Sequence, residues 1–446
     1  MRGLFPASGP IAPDDIPRAL RLELARRGRR VEALARGGFE DPVVLSRLGL
    51  HGLAAEAFDC RPEATRRWAA EAVASYFAVG RGDDARQLAR QTRGRTKKKR
   101  LALALAGFDK EMAVKAAPGG QVDLRAALGA EVDPVTPEGF LASGDLAPEH
   151  WGRLFEARAM TPIASRTGAT ITLDNATAPS QAVHDGALVS VVMPVWNTAM
   201  HVGTAVRSIL DQGWRNLELI VVDDDSDDGS ADVARQAAAG DERLIVIRQP
   251  LRRGPYVARN RALTAARGRW IAFHDADEWA HPDRLRVQVG QMMSRGLVAS
   301  AGRSVRIDSA GRPRARGVWP LVRFAPSTMM IDRKAVLDRA GLMHEVTSGA
   351  DNEYWWRMTL LFGPRRVAPL PHLLILGAWR DGSQTVSAQE GYGSGGVNLS
   401  RLAYWEGWNR WHLSCRRRLG ALKLAANAQP FAVPPDLEVP PARGAI

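Results

Sequence analysis

Between residues 187 and 277 the chain alternates four times between a short Val/Ile-rich run and a polar or helical stretch, and few folds accommodate that rhythm. The runs are ALVSVVMPVW, LELIVVDDD, RLIVIRQ and RWIAFHDAD, each bounded by polar or turn residues. Between them lie the helical patterns TAVRSILDQG, SADVARQAAAG and PYVARNRALTAARG. Strands so uniformly apolar belong to a largely parallel sheet covered by helices on both faces, which makes this an α/β domain. In such sheets ligands sit beyond the carboxyl ends of the strands. Pro194 to Asn197, Asp223 to Asp225 and Asp275 to Asp277 all follow strand ends, so their side chains are predicted to converge on one side.

The stretch RWIAFHDADEWAHPDRL places two carboxylates, one residue apart, at the end of a buried run. After them Pro282 suits a first helical turn, and Leu285, Val289, Met292 and Met293 form an apolar stripe predicted to pack in the core. LVASAGRSVRID and PSTMMIDRKAVLDRAG then add strands and a short helix, so the completed sheet is predicted to be mixed.

The flanks differ in texture. Residues 1–130 read as an all-α N-terminal domain of short helices, with Trp68, Val73 and Phe77 near one face; a helical-repeat reading is open but lacks a fixed period. Residues 131–186, with DPVTPEG and LDNATAPSQAVHDG, read as a linker. Residues 187–390 form the α/β domain, and 391–446 a helical segment with a Pro-rich tail. RGRTKKKR, residues 93–100, is either a solvated helix end or a phosphate-contacting patch.

The net charge of +13 suits an anionic partner without saying which. Cys60 and Cys415 have no ligand spacing, which argues against a disulfide framework or a cysteine zinc site and fits a reducing compartment. No apolar run approaches the ~20 residues of a membrane span. The N-terminus has proline and acid where a signal peptide needs an apolar core. The expected location is cytoplasmic, peripheral at most to the inner membrane face.

Two acidic constellations carry chemistry. In VVDDDSDDGS, Ser226 to Ser230 are predicted to cap the next helix, while Asp223 and Asp224 stand at the strand end, where a carboxylate can accept a hydrogen bond from a base. In HDAD, Asp275 and Asp277 can present hard oxygens to Mg²⁺ or Mn²⁺, which is usually held by one or two carboxylates together with phosphates and water.

VSVVMPVWN, ELIVVDDDSDDGS, ARNRALTAARGRWIAFHDADEWAHPDRL and GADNEYWWRM, in this order, resemble the family 2 glycosyltransferases of GT-A fold, over roughly residues 187–385. The resemblance implies a Rossmann-like mixed sheet and an inverting, non-processive enzyme; the Q-x-x-R-W motif of processive members is absent. By this resemblance Pro194, Trp196 and Asn197 belong to the nucleotide-binding first loop, Trp196 standing where the family more often has Tyr. Asp224 reads the base beside Asp223. Asp277 ligates the metal, with Asp275 near the ribose or metal. Asp351 is the catalytic base, with Glu353 nearby at the same helix start as an acceptor residue. Arg380 and Ser383 in WRDGSQTVS reach the diphosphate, and Trp355 or Trp356 offers an aromatic platform to the acceptor, although adjacent helix positions cannot share a face. Glu278 stands where many relatives carry Asp, and His274 reads as a structural histidine.

The expected partners are a nucleoside diphosphate sugar, UDP-linked for preference, with Mn²⁺ or Mg²⁺ and a saccharide or lipid-linked acceptor; nucleic acid is not expected. The expected reaction transfers the sugar to a hydroxyl in surface polysaccharide or glycolipid synthesis, through an oxocarbenium-like transition state with charge growing on the diphosphate. Two alternatives stay open: a nucleotidyltransferase, for which MPVWNTAMHVG lacks the Gly-rich basic loop, and a non-catalytic binding module with a vestigial site.

Overall fold

The computed structural model describes residues 30–35, 40–93, 146–314, 321–380, 392–393 and 396–440. RGRTKKKR beyond Arg93 and Ser383 lie outside them. The described N-terminal helices are α1 (Arg30–Ala35), α2 (Pro42–Arg47), α3 (His51–Asp59), α4 (Pro62–Arg67), α5 (Ala69–Ala78) and α6 (Gly82–Gln91). They enclose a core of their own, in which Val43, Val44, Phe58, Val73 and Phe77 are buried. Asp41 caps α2 by accepting from Val43 N at 3.0 Å, with Pro42 in the first turn, where its missing N–H is harmless.

From residue 146 on, the stretch read as a linker packs against the sheet that follows. Helix α7 (Pro148–Glu156) buries Trp151, Leu154 and Phe155 there, and Ser180 and Thr161 donate to Asp283 at 2.8 and 2.7 Å. LDNATAPSQAVHDG marks turns within this folded structure, and DPVTPEG lies outside the described residues.

The sheet has eight strands along its main path: β1 (Val189–Val195), β2 (Leu217–Asp223), β3 (Leu244–Arg248), β4 (Trp270–Phe273), β5 (Glu278–Ala280), β6 (Ala299–Ile307), β7 (Met330–Asp332) and β8 (Val367–Ala378), in spatial order β3-β2-β1-β4-β7-β6-β8-β5. The first four in this order are mutually parallel; β7 runs against both β4 and β6, β8 is parallel to β6, and β5 is antiparallel to β8. The sheet is therefore mixed, as predicted. The carboxyl ends of β1, β2, β4, β6 and β8 share one edge.

Successive side chains of a strand face opposite ways. Val189, Val191, Met193 and Val195 enter one core with α7, α8 (Ala199–Leu210) and α9 (Ser230–Ala238), while Val192, Ile220 and Ile271 enter the other. That second core is covered by α10 (Pro255–Ala265), while α11 (Arg284–Ser294) lies over the first. Beyond α12 (Arg333–Arg339), α13 (Ala350–Phe362) and α14 (Leu399–Cys415) complete the second core. The stripe predicted on α11 holds at Leu285, Val289 and Met292 but ends there: Met293 is 61% exposed, because it stands next to Met292 and faces elsewhere. Glu278, Trp279 and Ala280, read only as a run into α11, form β5.

The N-terminal helices dock on α14. Leu53 N donates to Glu406 Oε1 at 3.0 Å, and Arg30 donates to Asn409 Oδ1 while its guanidinium lies over the rings of Trp356 and Trp408 at 5.4 and 5.2 Å. Burial lowers the Arg30 pKa to about 9. Among the described residues no helix is long and apolar enough to cross a membrane.

Candidate active site

A cleft of about 680 Å³ opens beyond the carboxyl edge of the sheet, within the ordinary size of a small-molecule site. Its walls come from the ends of β1, β2, β4, β6 and β8, the first turns of α10 and α13, and α14.

The β1 end contributes Pro194, Trp196 and Asn197. Trp196 is 41% exposed, and the Arg252 guanidinium lies 3.4 Å from its ring centroid, so a planar cation already covers part of the surface on which a base would stack. Asn197 lines the cleft but its amide is committed. It adopts φ +45°, donates to Asp227 at 2.9 Å and accepts from Asp227 N at 3.1 Å, clasping the β1 and β2 loops together. The acidic run serves two helices: Asp228 accepts from Ser230 N at 2.9 Å at the start of α9, as predicted, and it also accepts from Ala199 N, while Ser230 Oγ accepts from Thr198 N, both at 2.8 Å, at the start of α8.

The two acids at the β2 end part company. Asp224 faces the cleft, with both oxygens engaged by Gln249 Nε2 at 2.5 Å, Arg253 N at 2.8 Å and Gly254 N at 2.7 Å. Burial raises its pKa against those donors and the nearby Arg252 charge. Asp223 does not line the cleft: it is 1% exposed and turned to Ser226 N and Arg248 Nε, at 3.2 and 3.4 Å. Alternate strand residues point to opposite faces, so one acid of the pair had to turn away.

At the β4 end Asp275 pairs with Arg259 Nη2, and Asp277 Oδ2 accepts from Arg380 Nε at 3.1 Å. The turn is fixed by Ala378 N donating to Asp277 O at 2.8 Å. Burial raises the Asp275 pKa, with the Asp277 charge adding to it and Arg259 opposing. Glu278 is a third carboxylate here, buried, facing Ser327 Oγ at 3.4 Å and held well above the usual range by burial and by Asp275. Sequence reading passed over it as a neutral replacement; with its pKa raised in this way it stands behind the pair as a protonated, uncharged acid. His274 accepts from Arg284 Nη1 at 2.9 Å and burial drives its pKa well down, so it is a neutral packing residue.

Asp351 stands in the first turn of α13, where the free N–H groups favour an anion, and accepts from the Tyr256 hydroxyl at 3.1 Å. Gly349 precedes the helix at φ +88°, a conformation an L side chain resists. Gly349→Ala is expected to cost about 1–2 kcal/mol and to lower the thermal midpoint by a few degrees; an unchanged midpoint would show the turn to be relaxed.

Three residues proposed for the acceptor lie elsewhere. Glu353 is fully buried, paired with Arg357 at 2.9 Å and with His412 Nε2 at 2.9 Å. Trp355 is 4% exposed and packs its ring against Phe324. Trp356 packs under Arg30. None lines the cleft, because only the first turn of α13 reaches it and the rest of the helix is covered by α14 and α1. The aromatic groups that line the cleft besides Trp196 and Tyr256 are Trp379, Phe324 and Trp405, with Arg401 and Glu438 also on its wall. Trp405 was missed because it lies outside the motifs. Tyr256 and Arg259 were missed too, although Pro255 marks a helix start and a three-residue spacing puts both on one face.

The donor set suits a hard divalent cation: two carboxylates at one strand turn, with Asp277 Oδ1 unpaired among the described residues. Among the described residues no three His, Cys, Asp or Glu side chains are grouped to hold an ion. Further ligands would have to come from phosphate oxygens and water.

Residues 190–344, which carry most of this cleft, match the family model described as Glycosyl transferase family 2. That match makes this part of the chain similar to the family 2 glycosyl transferases. The same part is similar to the putative teichuronic acid biosynthesis glycosyltransferase TuaG of Bacillus subtilis, 41% identical over 25% of this chain and 45% of that protein. It is also similar to the UDP-Glc:alpha-D-GlcNAc-diphosphoundecaprenol beta-1,3-glucosyltransferase WfgD of Escherichia coli, 34% identical over 25% of this chain and 44% of that one. The chain thus spans half or less of the length of these curated relatives. Among solved structures, TarS of S. aureus in complex with UDP-GlcNAc aligns at 18% identity and TM-score 0.38, over 53% of this chain and 76% of that one. Nothing in these matches favours nucleotidyl transfer or a non-catalytic module.

Proposed function

We propose that the chain is an inverting, metal-dependent glycosyltransferase that moves a sugar from a nucleoside diphosphate sugar, UDP-linked for preference, to the hydroxyl of a saccharide or lipid-linked acceptor in surface polysaccharide or glycolipid synthesis. The observation that carries the proposal is the convergence of Asp224, Asp275, Asp277 and Asp351 on one cleft at the carboxyl edge of the sheet. The names of the relatives TuaG and WfgD support the substrate class, and the net charge of +13 suits work beside an anionic membrane face from the cytoplasmic side.

In this reading Trp196 and Arg252 flank the base, and Asp224 holds the loop before α10 against it. Asp277, with Asp275, holds Mn²⁺ or Mg²⁺ together with the diphosphate; the ion supplies charge stabilisation to the leaving group. Arg380 sits beside the same phosphates. Asp351 takes the proton from the acceptor hydroxyl as that oxygen bonds to the anomeric carbon and the bond to the diphosphate breaks. The aromatic rings of Trp379 and Trp405 border the acceptor.

The test is release of nucleotide from a panel of UDP-, GDP- and dTDP-sugars in Mn²⁺, with and without saccharide and lipid-linked acceptors. Turnover of at least one donor is expected, abolished by EDTA and lowered at least ~100-fold in Asp277→Ala. No donor bound or consumed, or an unchanged Asp277→Ala, would sink the proposal.

A further inference from the structure

Helix α10 reaches the cleft with two side chains three residues apart, and each touches one of the acidic groups of the site. Arg259 pairs with Asp275. Tyr256 donates its hydroxyl hydrogen to Asp351 Oδ1 at 3.1 Å and accepts from Gly349 N at 3.2 Å, so one oxygen joins the carboxylate to the backbone that starts its helix. The ring itself is 5% exposed, packed in the second core, with the Arg259 guanidinium 4.9 Å from its centroid. Neither the ring nor the hydroxyl can move without disturbing the core, and the carboxylate it holds is the one that must meet an acceptor hydroxyl within a few tenths of an ångström.

We infer that Tyr256 is a positioning residue for Asp351, fixing the carboxylate's orientation in the cleft. The inference rests on Asp351 being the base. A phenol serves only while it stays protonated, and burial together with the Asp351 charge pushes its pKa up, so it remains a donor through the working range. The other charged and titratable groups acting on this pair are Arg259 on α10 and, from α14, Tyr404 on Asp351 and Arg401 on Tyr256. Tyr256 is the group among them with a direct hydrogen bond to Asp351. The Gly349 N–H would lose its acceptor along with the carboxylate, so the start of α13 would loosen as well.

Tyr256→Phe keeps the packed ring and removes the hydroxyl. Two readouts are taken on the full chain. The first needs no substrate: a ¹³C NMR spectrum of aspartate-labelled protein at fixed pH, with the Asp351 signal assigned by its loss in Asp351→Asn. That carboxyl signal is expected to move in Tyr256→Phe, since the hydroxyl that donates to it is gone. The second is turnover of the donor found active in the panel: kcat is expected to fall roughly 10- to 100-fold, with donor KM unchanged. A thermal midpoint close to that of the parent shows the ring still packs. If Asp351→Asn is inactive while Tyr256→Phe leaves both the Asp351 carboxyl signal and kcat unchanged, this inference alone is overturned. If Asp351→Asn keeps full turnover, the base assignment falls, and the role of Tyr256 with it.

Discussion

Asp351→Asn is expected to lower kcat by roughly 10²- to 10⁴-fold, the range for losing a positioned general base, while donor affinity in Mn²⁺ stays within about two-fold by calorimetry. The amide is the same size and can still accept from the Tyr256 hydroxyl, so the turn that begins α13 should hold. What it cannot do is take a proton. The carboxylate sits where the helix N-terminus stabilises its charge, and Asp275 and Asp277, in the turn after β4, keep their own arginine partners in the variant. Donor binding and proton removal are therefore separable in this cleft. A variant with more than a tenth of parental turnover, or one that loses donor affinity instead, would move the base elsewhere and make Asp351 part of the donor site.

How far the chain could be read without coordinates follows from what each signal depends on. Strands buried on both faces announce themselves as unbroken Val/Ile runs, so β1, β2 and β4, their shared edge and the acids at their ends were legible. Asp223 was not separable from Asp224 by composition; the alternation of the strand decides it, and that needs the strand end to within one residue. Glu353, Trp355 and Trp356 looked like cleft residues because they follow Asp351 closely, yet a helix turns 100° per residue and the second face of α13 belongs to α14 and Arg30. Those partners lie 59 residues ahead and over 300 behind in sequence, at separations no local pattern spans. The same distance hid Trp405 and Arg401, which reach the cleft from α14.

The fully buried group that joins α13 to α14 should be the costliest to break. Arg357 donates to Glu353 at 2.9 and 3.0 Å and to the carbonyls of Ala340 and Leu342 at 2.6 and 2.9 Å, while His412 Nε2 meets Glu353 Oε1 at 2.9 Å. Arg357→Ala removes the positive partner and leaves a carboxylate and two carbonyls in an apolar core, a loss of about 3–5 kcal/mol by urea denaturation. Replacing both ions together, Glu353→Leu with Arg357→Met, is expected to recover much of that, since the uncompensated charge is gone. Arg357 and His412 hold Glu353 near about 2, below its ordinary 4.5, against the burial that would raise it. The unfolded chain thus binds the proton first as pH falls, so the Glu353 contribution is complete above about pH 4.5 and is lost toward pH 2. The stability gap between parent and Arg357→Ala should accordingly be wider at pH 7 than at pH 3. A gap below 1 kcal/mol at pH 7, or one that widens in acid, would mean that α13 is held to α14 by its apolar face alone, and that the first turn carrying Asp351 does not depend on the ions beneath it.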